Sequence, residues 1–375
     1  MLPRLLFIGA GPAHLHALRY LARRKTPARE TLLVSGAPTI VNPGMLTGFI
    51  AGRFRAEEVV IDLGQLAHSA GGELAVGTVA SLDPVSRTVR LEDGRTFLYN
   101  AASLALEAQP ATAGIPGAIR HARYIHSVSQ VMSLVPALES TLEQSPDRET
   151  RLLVVGSGIT AFEIAMALRR QLDVRSRKGA VTIVSGFPTA WGERGAGASL
   201  IATALKRNRI TLILGARIHE IAEQHLHLSN GARVAFDFLV WAGDGEAPRF
   251  LQGAGLPASR EGTLLVDPFL QSTGATGLFA AGMTAILAGH PEPEQGFHDP
   301  ARQGKVLGQN LLRVLEAKSP NRTFDPVDRP FSWATTADDR TILSFGPMAT
   351  EGHWVSRLKE KQERKNMRRF AHKEG

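Results

Sequence analysis

The chain has 375 residues, 43% hydrophobic and 21% charged, enough for two or three domains that each bury a core. It contains no cysteine, which excludes disulfide staples, thiolate metal sites, a redox-active cysteine pair and a cysteine nucleophile. No apolar run nears the roughly 20 residues that cross a bilayer, and the net charge of +8 sits largely in residues 354–373, where eight Lys/Arg face two Glu.

Leu5 to Ile8 reads as a buried parallel strand, Gly9 and Gly11 as a tight turn, and Leu15, Leu18 and Ala22 as the apolar stripe of the next helix. Glycines at such a junction let backbone N–H groups approach a pyrophosphate at the positive end of the helix. The third glycine position is His14. The N-terminus running straight into this strand predicts no secretory leader. Thr31 to Val34 predicts the second strand, followed by Ser35 where such units usually carry an acid for the adenosine ribose. Val41 to Gly52 reads as a glycine-rich loop and Glu57 to Leu66 as a strand entering a helix. Residues 74–99 read as a small β-meander with a hairpin turn at Asp93–Gly94, Leu104 to Leu106 as a return to the main sheet, and Pro110 to Gly117 as a linker.

A helix over Ser127 to Leu142 opens a second unit, and residues 152–168 repeat the strand–turn–helix pattern with Gly156, Gly158 and Ala161. One copy of this motif is weak evidence; two suggest two nucleotide cofactors, the alternative being one such unit plus a chance glycine turn. The following strand, Val181 to Val184, ends in Ser185, again without an acid. That removes a repulsion against a 2′-phosphate, and Arg175, Arg177 and Lys178 are near in sequence, so NADPH is tolerated and NADH is not excluded. Strands over Thr211 to Leu214, Ile218 to Ala222, His225 to Leu228 and Phe238 to Trp241 finish the unit. Gly262 to Gly282 gives two short strands that return to the first unit, and a loop leads to a helix over Arg302 to Leu315. Short strand signals in 319–350 precede the basic tail. None of the twelve histidines, among them His16, His225, His227 and His290, shows a metal-ligand spacing.

The order of these motifs, with GMLTG (Gly44 to Gly48), WAGDGEAPRFL (Trp241 to Leu251), LFAAG and RQGxxLxxNL, resembles the two-dinucleotide-binding-domain flavoproteins of the pyridine nucleotide-disulfide oxidoreductase superfamily. Within it the chain is most similar to the type II NADH dehydrogenase-like group, and more narrowly to the flavoprotein module fused to some selenide, water dikinases. The resemblance implies an α/β fold: an FAD-binding Rossmann-like domain (1–112 and 262–330) with a meander insertion, an NAD(P)H-binding one (113–261) and a C-terminal extension (331–375). It implies hydride transfer from NAD(P)H to FAD and electrons passed to a quinone-like acceptor. It sets Gly9, Gly11, Pro12 and His14 at the FAD pyrophosphate, Ser35 at its ribose, and Gly44, Met45 and Leu46 near its isoalloxazine. Gly282, Met283 and Gln303 close that site. Gly156, Gly158, Ile159, Glu163, Ser185 and Gly243 border NAD(P)H.

Glu163 and His298 are the catalytic candidates by the same resemblance. Glu163 reads alternatively as an exposed helix carboxylate, and His298 with Asp299 as an exposed loop pair ahead of a helix. The family's LFAAG turn is normally followed by Asp, here Met283, and a thioether is a poor replacement acceptor. With Ser35 and the altered linker Glu107-Ala108-Gln109, this keeps a second class open: a nucleotide-binding, partner-regulating protein with little redox turnover. The tail, with Trp354, Val355, Leu358, Met367 and Phe370 among its cations, reads either as a helix on an anionic membrane surface or as one packing an edge on the body. Nucleic acid is a poor fit because the aromatics are not interleaved with the cations as a stacking platform. The expected setting is cytoplasmic, peripheral at the inner face of the membrane, and a homodimer is compatible.

Overall fold

The structure is a computed structural model and describes residues 4–24, 30–106, 109–110, 112, 114–144, 148–188, 196–243, 245–259, 262–289, 299–326 and 331–370. It begins with β1 (Arg4–Ile8), in which Leu5, Leu6, Phe7 and Ile8 are all fully buried. A strand covered on both faces needs apolar side chains on both, so the run does not alternate. Helix α1 (Pro12–Ala22), β2 (Glu30–Ser35), α2 (Pro43–Ile50), β3 (Gly72–Val76) and β4 (Ala101–Leu104) follow.

Helix α2 replaces the loop expected over Val41 to Gly52. Pro43 fills its first position, and Asn42 caps it by accepting the Gly44 N–H at 3.1 Å. Its glycines serve packing: a Cβ at Gly48 would lie 2.4 Å from the Phe54 ring. The meander starts at Val79, because Gly72–Val76 is drawn into the sheet beside β2. Strand β4 likewise comes earlier than the predicted Leu104 to Leu106.

The second sheet is built from β5 (Arg123–Tyr124), α3 (Val128–Glu143), β6 (Thr150–Val155), α4 (Ile159–Val174), β7 (Gly179–Val184), α5 (Ala196–Arg207), β8 (Ile210–Ile213) and β9 (Phe238–Trp241). The chain then returns through β10 (Leu278–Ala280) and α6 (Pro300–Leu315). It ends with an antiparallel sheet of β11 (Phe331–Thr335), β12 (Thr341–Phe345) and β13 (Met348–Gly352), and helix α7 (His353–Phe370).

Strand order is β10-β4-β1-β2-β3 in the first sheet and β5-β9-β6-β7-β8 in the second, parallel throughout. Both are Rossmann-like: the order reverses at β1 and at β6, and each is followed by a glycine turn. That switch point is where doubly wound sheets open a crevice at their carboxyl ends.

Helix α6 lies close on α1. A Cβ at Gly304 would fall 2.4 Å from the Ala13 carbonyl oxygen, and one at Gly308 2.8 Å from the Tyr20 ring. Ala334 and Ile342 of the terminal sheet join the core of the second sheet. The β11–β12 turn is pinned by Asp339, which accepts from Arg53 after α2 (3.1 Å) and from Arg170 of α4 (2.8 Å). Helix α7 buries Val355 and Phe370, the latter edge-on to His16 of α1 at 5.3 Å. Among the described residues no helix is long and apolar enough to cross a membrane.

Candidate functional site

The two glycine turns are built alike. Gly9 has φ +89°, and a Cβ there would lie 2.4 Å from the Ala105 carbonyl oxygen. One at Gly11 would lie 2.7 Å from the same atom, which instead accepts the Gly11 N–H at 2.8 Å. In the second turn a Cβ at Gly156 would lie 2.4 Å from the Ala242 carbonyl oxygen. Both turns are therefore pressed against the end of a neighbouring strand, and only glycine leaves room. Neither α1, entered through Gly11 and Pro12, nor α4, entered through Gly158 and Ile159, has a side-chain cap. Helices α2, α3 and α6 are capped by Asn42, Ser127 and Asp299. Without a side-chain cap the positive dipole end of each helix stays open, the complement of a pyrophosphate.

His14 faces inward. It is fully buried, with Nδ1 2.6 Å from the Gly9 carbonyl oxygen and Nε2 2.9 Å from Ser103 Oγ. A carbonyl only accepts, so Nδ1 carries the proton, and Nε2 accepts from the serine hydroxyl. Burial lowers its pKa from 6.5 to about 4, against the Gly9 hydrogen bond, which raises it. The imidazole is a neutral staple between turn and strand.

Ser35 and Ser185 lie at the carboxyl ends of β2 and β7 and are both buried. Each accepts a backbone N–H two residues on, from Ala37 at 3.4 Å and Phe187 at 3.2 Å. Arg175, Arg177 and Lys178 lie between α4 and the start of β7, at the end of that strand opposite Ser185. Arg175 pairs with Glu139, and Arg177 donates to the Leu142 carbonyl. Their nearness in sequence does not put them at a 2′-phosphate: a six-residue strand separates them from the crevice by about 20 Å. Buried Gln303 accepts the Gly282 N–H at 2.7 Å, whereas Met283 is 63% exposed. Gly243 leaves space beside the Trp241 indole, whose buried N–H has no partner among the described residues. His290 and His298 lie outside the described residues.

Glu163 is not the exposed helix carboxylate of the alternative reading. Its side chain is 11% exposed, with Oε1 2.6 Å from Lys359 Nζ and 2.8 Å from the Thr335 N–H. Oε2 accepts from Thr47 Oγ1 at 3.3 Å. It thus joins α4, α2, β11 and α7. In front of it, between α2 and α7, lies a cavity of about 310 Å³ lined by Gly44, Thr47, Arg53, Thr335, Lys359 and Glu363. Of the predicted GML segment only Gly44 reaches it; Met45 is buried with Val41, Val59 and Val131, and Leu46 packs beside them. Sequence reasoning missed Lys359 and Glu363, whose signal was two side chains one turn apart on the inner face of a helix read for its cations.

The sequence profile of the pyridine nucleotide-disulphide oxidoreductase family matches residues 3–298. The chain is 26% identical over 302 residues to an NADH dehydrogenase-like protein of Mycobacterium tuberculosis, covering 78% of this chain and 73% of that one. Among solved structures it is similar in fold to the sulfide:quinone oxidoreductase of Aquifex aeolicus (TM-score 0.81, 17% identity, 98% of this chain and 91% of that one). It is also similar to the water-forming NADH oxidase of Lactobacillus brevis (TM-score 0.73, 17% identity, 92% and 75%).

Proposed function

The chain belongs to the pyridine nucleotide-disulphide oxidoreductase family, and from that premise we propose a cysteine-free, NAD(P)H-dependent flavoprotein that reduces a quinone-like acceptor. Family membership carries the oxidoreductase class. The finer reading rests on one observation: a cavity of about 310 Å³ whose floor is the α2 start and whose wall carries Lys359, held from behind by Glu163. With no thiol in the chain, electrons need an acceptor that binds directly, and a small planar carbonyl compound suits a cavity of this volume.

The residues fit both nucleotides. Gly9, Gly11 and the uncapped start of α1 would hold the FAD pyrophosphate, and Gly156, Gly158 and the uncapped start of α4 that of NAD(P)H. FAD, when bound, supplies hydride acceptance and two-electron transfer. Glu163 fixes the Lys359 ammonium at the cavity wall, where a cation stabilises negative charge developing on an acceptor oxygen. Exposed Trp354 and Leu358, with the cations of α7, support docking on an anionic membrane, the compartment of a lipid-soluble quinone.

The test is the absorption spectrum of the purified protein, then anaerobic addition of NADH and NADPH, then of a soluble quinone. Flavin bands that bleach with one nucleotide and return with the quinone are expected. A protein that stays colourless after incubation with FAD overturns the reading and favours the nucleotide-binding, partner-regulating alternative that Ser35 and Met283 keep in view.

A further inference from the structure

Glu363 is a half-buried carboxyl group built into the cavity wall without a full set of donors. A Cβ at Gly44 would lie 2.5 Å from its carboxyl atoms, so the glycine is what admits it against α2. Its hydrogen bonds come from two amides, Asn42 Nδ2 at 3.3 Å and Asn366. The start of α2 would favour a carboxylate, but its donors are spent. Pro43 has no N–H, Gly44 donates to the Asn42 side chain, and Met45 donates to the Asn42 carbonyl. Lys359, one turn earlier, gives its ammonium to Glu163 and Thr335 Oγ1. Two carboxyl groups thus share one cation, and Glu163, with three donors, holds the better claim on it.

We propose that Glu363 is the proton donor to the quinone-like acceptor in this cavity, an inference that rests on the function proposed above. Burial raises its pKa, with Glu163 adding to the rise and Lys359, Asn42 and Asn366 opposing it. These are the charged and polar groups that reach it from α2, α4 and α7. In the balanced reaction NAD(P)H, one proton and a quinone give NAD(P)⁺ and a quinol. The electron pair and one hydrogen equivalent derive from NAD(P)H. The other proton leaves Glu363: its O–H bond breaks, an O–H bond forms on the acceptor oxygen, and solvent reprotonates the carboxylate. Lys359 steadies the carboxylate in between.

The experiment compares wild-type holoprotein with Glu363→Gln, using a soluble benzoquinone and ferricyanide, which takes electrons but no proton. The ratio of quinone to ferricyanide turnover is expected to fall about tenfold or more in the variant. The alkaline decline in the wild-type quinone rate should flatten. Infrared spectra of the nucleotide-free proteins, taken across pH, should show a protonated carboxyl band that persists above the usual carboxylate range and that the variant lacks. A wild type that reduces neither acceptor overturns the oxidoreductase reading, and this proposal with it. A wild type that reduces both, with an unchanged ratio in Glu363→Gln or no carboxyl band lost, overturns the proposal alone.

Discussion

His14 takes the place of a third glycine and makes the first turn sensitive to acid. The fold holds its imidazole neutral down to about pH 4, whereas the unfolded chain binds that proton near pH 6.5. Its stabilisation is therefore complete above pH 6.5 and drains as pH falls toward 4, on the order of 2 kcal/mol by pH 5. His16, also lowered to about 4, acts in the same direction. Thermal melts of wild type and His14→Gly should show a smaller loss between neutral pH and pH 5 in the variant; equal losses would refute the assignment. The glycines allow a sharper separation. Gly9→Ala, at φ +89° and 2.4 Å from a carbonyl oxygen, should yield protein without flavin colour. Gly156→Ala should keep the colour and weaken NAD(P)H binding by about tenfold or more, read by anaerobic titration. Both glycines were legible in the sequence because strand and helix periods flank them. The part played by His14 was not, since nothing local says which way a ring at that position turns.

Helix α7 reaches α4 through the Lys359–Glu163 pair and α2 through Glu363 against Gly44, and these contacts were the least legible part of the site. Glycines and proline over residues 41–52 signal a loop, yet the same residues make a helix when the glycines serve close packing and the proline starts the first turn. The tail is helical as its apolar spacing suggests, but which edge it buries depends on partners more than a hundred residues away, Glu163 and Gly44. Lys359 and Glu163 are 14% and 11% exposed, so removing one partner leaves the other charge stranded. Lys359→Met should cost about 3–5 kcal/mol and open α7 to protease. Adding Glu163→Gln should recover much of that loss. Additive losses in the double variant would show that the two groups do not act as a pair.

At the scale of the whole molecule, the two parallel sheets were legible because buried parallel strands announce themselves as unbroken apolar runs, whereas their strand order came only with the structure. The terminal sheet was only hinted at: of its core contacts, Ala334 and Ile342 matter most, and neither is conspicuous in a polar stretch. The outer side of α7 carries Arg357, Lys361, Lys365, Arg368 and Arg369, all exposed and without an ion pair among the described residues, beside Trp354 at 57% and Leu358 at 46% exposure. Binding to vesicles containing anionic lipid should therefore be strong at low salt and lost at high salt. Each cation at the surface is worth about 1 kcal/mol, so Lys361→Glu with Lys365→Glu should weaken it at least about tenfold. Salt-independent binding would exclude this face as the contact.

The close seating of Gly304 and Gly308 on α1 also bears on how the protein is made. Strand β10 and helix α6, which finish the first sheet and cover its first helix, emerge from the ribosome only after every strand of the second sheet. The face of α1 that Gly304 and Gly308 cover must wait for partners encoded far downstream, while the second sheet closes from contiguous chain. Folding should therefore proceed from the middle outward, with the amino-terminal segment a client for chaperones until residue 315 is free. Expressed alone, residues 113–261 should unfold cooperatively, whereas residues 1–112 should aggregate. A soluble, cooperatively melting fragment 1–112 would show that the early segment needs no later cover.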